Sequence, residues 1–230
     1  MENFIVSIKK NKLFIFLCIL AAILISISLS ANYIAPHDPL KTSMANSLQG
    51  RSSEFPLGTD NLGRCILSRL LYGASTSLKM TFCLVIIVFI VGTSLGTIAA
   101  YFGGIVDTII MRFSDVFLAF PGIIFAIAIA GVLGPSSMNV VIALAVVNWV
   151  KYARVSRSLV MSVRKKDYIK GAKMGGAKEY QIILKYIVPN IIPSLIVIAT
   201  MDIGTMMLEI SSLSFLGLGA QPPTPEWGYM

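Results

Sequence analysis

Apolar residues in this chain come in runs, and the runs dictate the architecture. Residues 13–31 form an uncharged stretch of 19 residues behind Lys9, Lys10 and Lys12, and a helical bilayer crossing needs about 20. The apolar core of a signal peptide has only about 7–15 residues, so the pattern predicts an uncleaved first span with its N-terminus in the cytoplasm. Further runs at 78–101, at 121–134 behind Pro121, at 140–150 with an extension toward 160, and at 187–213 predict four more spans. The segment 36–77 between spans one and two is polar, with scattered Pro, Gly and Ser. Phe102-Gly103-Gly104 turns the chain, and Asp107, Arg112 and Asp115 lie on a short amphipathic stretch before Pro121 opens or kinks the third span. The expected fold class is all-α and polytopic.

Composition agrees. The 230 residues are 56% hydrophobic and 13% charged, against about a quarter charged in soluble domains. The net charge of +8 and the 19 Lys and Arg residues raise the question of nucleic acid, but ten of those cations fall between Lys151 and Lys185, between two apolar runs. That is the signature of a cytoplasmic loop, and no nucleic-acid partner is expected; membrane lipid is. Lys151, Arg154 and Arg157 then occupy the last turns of the fourth span, where long cations reach the interface. Counting spans from a cytoplasmic N-terminus independently puts the loop 163–186 inside and the tail 216–230 outside. Cys18, Cys65 and Cys83 have no disulfide or zinc spacing, and Cys65, outside the membrane by this topology, is expected to react with an impermeant thiol reagent. Gly92 and Gly96 share a helix face and are expected to let a neighbouring helix approach closely.

The cytoplasmic loop carries the informative motif. It reads Asp167-Tyr168-Ile169-Lys170-Gly171-Ala172-Lys173-Met174-Gly175-Gly176, with Ile187-Val188-Pro189 ten residues later. This predicts a short helix, a glycine break, and a second helix ending at a proline before the last span. The segment resembles the EAA loop of ABC importer permeases, with Gly176 and Pro189 at the family's glycine and proline. Lys170, Gly171 and Ala172 stand at the loop's name-giving positions, and Lys170 and Gly171 depart from the usual Glu and Ala. By this resemblance Asp167, Lys170, Gly171, Ala172, Gly176 and Pro189 form the loop that docks into a partner ATPase.

Three other stretches resemble the dipeptide/oligopeptide/nickel branch of those permeases: Leu57-Gly58-Thr59-Asp60-Asn61-Leu62-Gly63-Arg64 with Ser68-Arg69-Leu70-Leu71-Tyr72-Gly73, Trp149 with Tyr152-Ala153-Arg154, and Ser214-Phe215-Leu216-Gly217-Leu218-Gly219. Cys65 replaces the branch's usual aspartate. The resemblance implies a type I ABC importer permease fold, a homologous second permease, two cytoplasmic ATPase subunits and an extracytoplasmic substrate-binding protein. It also implies a further span after Met230, so the chain is expected to show five of six spans as a truncated reading frame or fragment. Residues 171–178 read G-A-K-M-G-G-A-K, which lacks the lysine directly after the second glycine that a phosphate loop needs. No cofactor is therefore expected on this chain; ATP and Mg belong to the partner subunits, and the chain itself is no enzyme.

The fifth span supplies the substrate expectation. Asp202 and Glu209 are seven residues apart on one face, roughly 10 Å along the axis, with Thr205 and Met206 near the same stripe. Charges inside a span usually face a cavity or a partner, so these four residues are the expected pathway lining. The segment Asp202-Ile203-Gly204-Thr205-Met206-Met207-Leu208 looks more like the nickel-type members, which often carry His where Thr205 and Glu209 stand. Nickel prefers imidazole or thiolate, the single histidine is His37, and two carboxylates that far apart cannot chelate one ion. No tight metal site is expected, only weak cation attraction by Asp202 and Glu209, or else a structural pairing. The expected protein is a multi-pass bacterial inner-membrane permease for nickel or a nickel chelate, with di- or oligopeptides second. Its parts are a cytoplasmic tail 1–12, a first span 13–35, an extracytoplasmic segment 36–77, a permease domain 78–215 with the coupling loop 163–186, and a tail 216–230. An ion-coupled secondary transporter would show internal repeats with broken helices, and an intramembrane enzyme would need a nucleophile with its base; neither pattern is legible.

Overall fold

The computed structural model describes residues 12–230; the expected tail at 1–12, apart from Lys12, lies outside them. The long helices are α1 (Lys12–Leu29), α2 (Ile66–Phe102), α3 (Gly104–Leu118), α4 (Gly122–Leu133), α5 (Ser137–Arg164), α6 (Asp167–Met174) and α7 (Glu179–Phe215). Among the described residues, α2, α5 and α7 are long and apolar enough to cross a membrane, and α3 with α4 makes a fourth crossing if that bent pair is one broken span. The expected first span corresponds to α1, whose apolar part Ile15–Leu29 is shorter.

The chain divides into two compact units. The first holds α1, the loop that follows it, the opening turns of α2 and residues 222–228. Its loop is organised by Asp60. One carboxylate oxygen accepts the backbone N–H groups of Leu62 and Arg64, each at 2.9 Å, and the other meets Arg64 Nε at 2.7 Å. Burial pushes this carboxyl up, but the Arg64 and Leu62 bonds outweigh it and hold Asp60 below the usual carboxylate range. The Leu57–Arg64 motif is thus a folding device, and Cys65 beside it is only 2% exposed. That burial corrects the expectation of ready labelling. Gly73 on α2 leaves room for Trp227, whose Nε1 donates to the Leu70 carbonyl at 3.0 Å.

The second unit, essentially residues 79–221, is the helical bundle. Its core joins Leu84 and Val88 of α2, Ala126 and Ala130 of α4, Val140 to Ala153 of α5, and Met206, Ile210 and Leu213 of α7. Where α2 crosses α5, a Cβ on Gly92 would lie 2.5 Å from the Trp149 carbonyl oxygen, and one on Gly96 2.1 Å from that of Ala153. The small-residue face is therefore a helix crossing, as its spacing implies. At the third apolar run Pro121 precedes α4, but that helix has only 12 residues, short of the expected crossing; it meets α3, which ends at Leu118, at 88°, and could cross only together with it.

Two further expectations change. α5 does not end near Val160 but runs to Arg164, about 42 Å in all, so Lys151, Arg154 and Arg157 sit in its middle turns. They are not simply snorkelling cations. Arg157 grips Asp107 with two bonds of 2.6 Å, Arg154 pairs with Asp115, and Lys151 pairs with Asp202. The second correction concerns Pro189, which does not end a helix. α7 is continuous from Glu179 because its turn Ile183–Ile187 is widened to a π-turn, a device that absorbs the proline's missing N–H and ring clash. Asn190 helps by donating its amide to the Tyr186 carbonyl at 2.6 Å.

Candidate functional site

The loop 163–186 is a folded knob. α6 carries Ile169, 1% exposed, into a second core with Ala100 and Tyr101 of α2, Val160 and Val163 of α5, and Ile182, Ile187 and Ile191 of α7. Lys173 lies 5.3 Å from the centre of the buried Tyr101 ring, with Arg164 at 5.9 Å, a cation–π contact that ties the knob to the end of α2. Gly175 and Gly176 then break the helix, Gly176 at φ +77°, where a side chain is strained although the space around it is open.

The outward side of the knob presents Asp167, whose carboxylate accepts a bond of 2.9 Å from Lys170, with Gly171 making no near contact. Ala172 lies on the same helix, its carbonyl bonded to the Ala177 N–H at 3.1 Å. Five of the six expected loop residues thus belong to one compact motif, while Pro189 sits beyond it in α7. The exposed Tyr168 and Met174 were not singled out from sequence. Their signal is the helical offset from Ile169, which puts them off the anchored face.

The second cluster is polar and lies between α5 and α7. Lys151 Nζ stands 2.5 Å from Asp202 Oδ1, and Asn148 Nδ2 donates to Glu209 Oε2 at 2.8 Å. The buried Tyr152 hydroxyl lies beside the same Asp202 carboxylate. Of the four expected pathway residues, Asp202 is buried and neutralised, and Met206 is packed in the core at 3% exposed. Thr205 is exposed, its hydroxyl bonded back to the Asp202 carbonyl at 3.0 Å, and Glu209 is half-buried. Met206 is therefore a core residue, and Lys151 and Asn148 each engage one carboxylate oxygen of the acidic pair from within the chain. Sequence reading missed those partners; the available signal was a lysine and an asparagine three apart on one apolar helix. Among the described residues no three His, Cys, Asp or Glu side chains gather in a way that could hold a metal ion.

Long apolar helices, a helical knob packed on a core shared with three of them, and an ion pair inside the bundle are the marks of a polytopic membrane protein. Residues 92–230 match the family model described as the binding-protein-dependent transport system inner membrane component. The chain belongs to that family, in the dipeptide/nickel branch of ABC importer permeases, and is a permease subunit. It is 45% identical over 223 residues to the dipeptide transport system permease protein DppC of Alkalihalophilus pseudofirmus, covering 97% of this chain and 73% of that protein. It is 39% identical over 212 residues to the nickel transport system permease protein NikC of Escherichia coli strain K12, covering 92% and 76%. A solved inward-facing structure of the MetNI methionine ABC transporter matches with a TM-score of 0.59 at 20% identity, over 67% of this chain and 77% of that chain. The fold is that of a type I importer permease.

Proposed function

We propose that this chain lines half of the pathway of an ATP-driven importer for di- or oligopeptides, beside a homologous second permease. An extracytoplasmic binding protein delivers the cargo, and two ATPase subunits, holding ATP and Mg, dock on the two permeases from the cytoplasm. The N-terminus and the knob are cytoplasmic in this reading, following the Lys and Arg bias of the loop. Closure of the ATPases draws the knobs together and turns the pathway outward; hydrolysis resets it. The observation that carries the coupling role is the knob itself: a helix held by Ile169 in a core shared with the ends of three membrane helices, able to pass a push to all of them.

The cargo reading rests on charge. Asp202, which as a free carboxylate would favour a metal cation, is engaged by Lys151, and two of the relatives are dipeptide permeases, at 45% and 39% identity. A nickel chelate is the second reading, favoured by the 39% identity to a nickel permease. Replacing Gly176 with Val, a β-branched residue at φ +77°, should leave membrane insertion intact. Co-purification of the ATPases and uptake of labelled dipeptide should both be lost. Normal uptake by Gly176→Val would remove the knob from this role, and wild-type cells that import radioactive nickel but no dipeptide would reverse the order of the two cargoes.

A further inference from the structure

We infer that Lys151, aimed by Asp202, is a carboxylate-recognising cation of the translocation pathway, and that with Glu209 it reads the two ends of a small zwitterionic cargo. The inference rests on the importer reading above. Lys151 lies near the middle of α5, where an uncompensated charge would be costly and a charge usually faces a partner or water. It has the partner, yet its side chain stays 54% exposed while that of Asp202 is 6% exposed. The pair is therefore one-sided: the carboxylate is buried beneath, and the ammonium is presented outward with donor capacity to spare, since an ammonium has three N–H groups.

The surroundings agree. Asn148, Lys151, Ser158 and Ser162 follow one another on α5 at spacings of 3, 7 and 4, which keeps them on one helix face, and Lys165 follows just past the helix end. Val155 shares that face, and of its polar residues all but the half-buried Asn148 are exposed. Such a polar stripe on a membrane helix fits a watered pathway and not lipid. Glu209, with one oxygen held by Asn148, lies seven residues along α7 from Asp202, a rise of roughly 10 Å. A part-exposed ammonium and a half-buried carboxylate on the same α5–α7 seam suit a peptide's carboxylate and ammonium ends. The same cation would also hold a carboxylate of an anionic metal chelate.

The test uses cells carrying the complete system, with labelled dipeptide, its C-terminal amide, nickel alone and nickel with a polycarboxylate chelator as probes. Lys151→Gln strands Asp202, so the informative variant is Lys151→Gln/Asp202→Asn, which removes the cation and keeps a neutral polar pair. ATPase co-purification checks that this variant assembles. Dipeptide uptake should fall about tenfold, roughly one exposed charge's worth, and the free-acid to amide uptake ratio should fall with it. The binding protein's own preference is common to both permeases and cancels from that comparison. A parallel fall for chelated nickel identifies a chelate as the carboxylate's source. An assembled variant with unchanged rate and ratio overturns the inference, as does equal loss of acid and amide, or import of nickel alone by both proteins without any effect of chelator. Wild-type import of neither cargo would instead sink the substrate reading, and this one with it.

Discussion

The ion pair between α5 and α7 should respond unequally to loss of its two members. At 2.5 Å the gross attraction between unit charges is about 7 kcal/mol at an effective dielectric of 20, but desolvation takes back most of it. What remains depends on which charge is left behind. Lys151→Met leaves a carboxylate whose side chain is 6% exposed without its cation, a loss of about 3–5 kcal/mol. Asp202→Asn leaves an ammonium that is 54% exposed and can turn to water, which costs about 1 kcal/mol or less. Joining the two changes removes both charges and should recover most of the larger loss, since neutral replacements of buried pairs are often tolerated. For a chain of this size 1 kcal/mol moves a melting midpoint by about 2–4 °C. Thermal unfolding of the detergent-purified complex should therefore show Lys151→Met lowered by about 6–20 °C, Asp202→Asn by about 2–4 °C or less, and the double variant close to Asp202→Asn. Equal losses, or a double variant as weak as Lys151→Met, would refute the one-sided burial on which the argument stands.

Gly96→Leu should abolish folding of the bundle, because even a Cβ would stand 2.1 Å from the Ala153 carbonyl oxygen and 2.0 Å from Ser156 Oγ; membrane-fraction immunoblotting of the full chain should show little intact protein, whereas Gly104→Ala, with open space around it, should accumulate with only the strain of its positive φ. The Asp60 carboxyl is held below its ordinary value, so its contribution to stability is present above the unfolded pKa of about 3.9 and is lost as the pH falls through the folded value. Asp60→Asn should remove that acid dependence, read as melting midpoints between about pH 3 and 7.

The sequence made the helices legible because bilayer-length apolar runs leave little choice of structure, and close packing at Gly92 and Gly96 follows from their spacing alone. It misjudged Pro189. A proline two residues into an apparent helix start reads as a boundary by local rules, but here the widened turn Ile183–Ile187 and the Asn190 amide accommodate it. That solution needs side chains from both sides of the proline and has no periodic signature. The consequence bears on coupling. In the proposed coupling role, α7 runs without a break from the knob at Glu179 to Phe215, so a single helix, with its π-turn and Pro193, joins the knob to Asp202 and Glu209.

The polar cluster was half legible, and for a definite reason. One-dimensional reading finds charges on a span and can say that each needs a partner, but pairing is a property of two helices at once. Asp202 and Glu209 were visible on α7, and Lys151 was visible on α5 as a cation near a basic loop, so the lysine was credited to the membrane surface and the carboxylates to the cargo or to a pairing whose partner was not named. Antiparallel packing brings the two sets together: Asn148 opposite Glu209 and, one turn on, Lys151 opposite Asp202. The electrostatic sense of the site then reverses. With Asp202 neutralised, the charge most exposed at that level of the bundle is the ammonium of Lys151, so the face that looked acidic in the sequence of α7, the pathway face in the proposed reading, is cationic beside Asp202 and acidic only toward Glu209. A cargo bearing both signs suits that face better than a bare metal cation does.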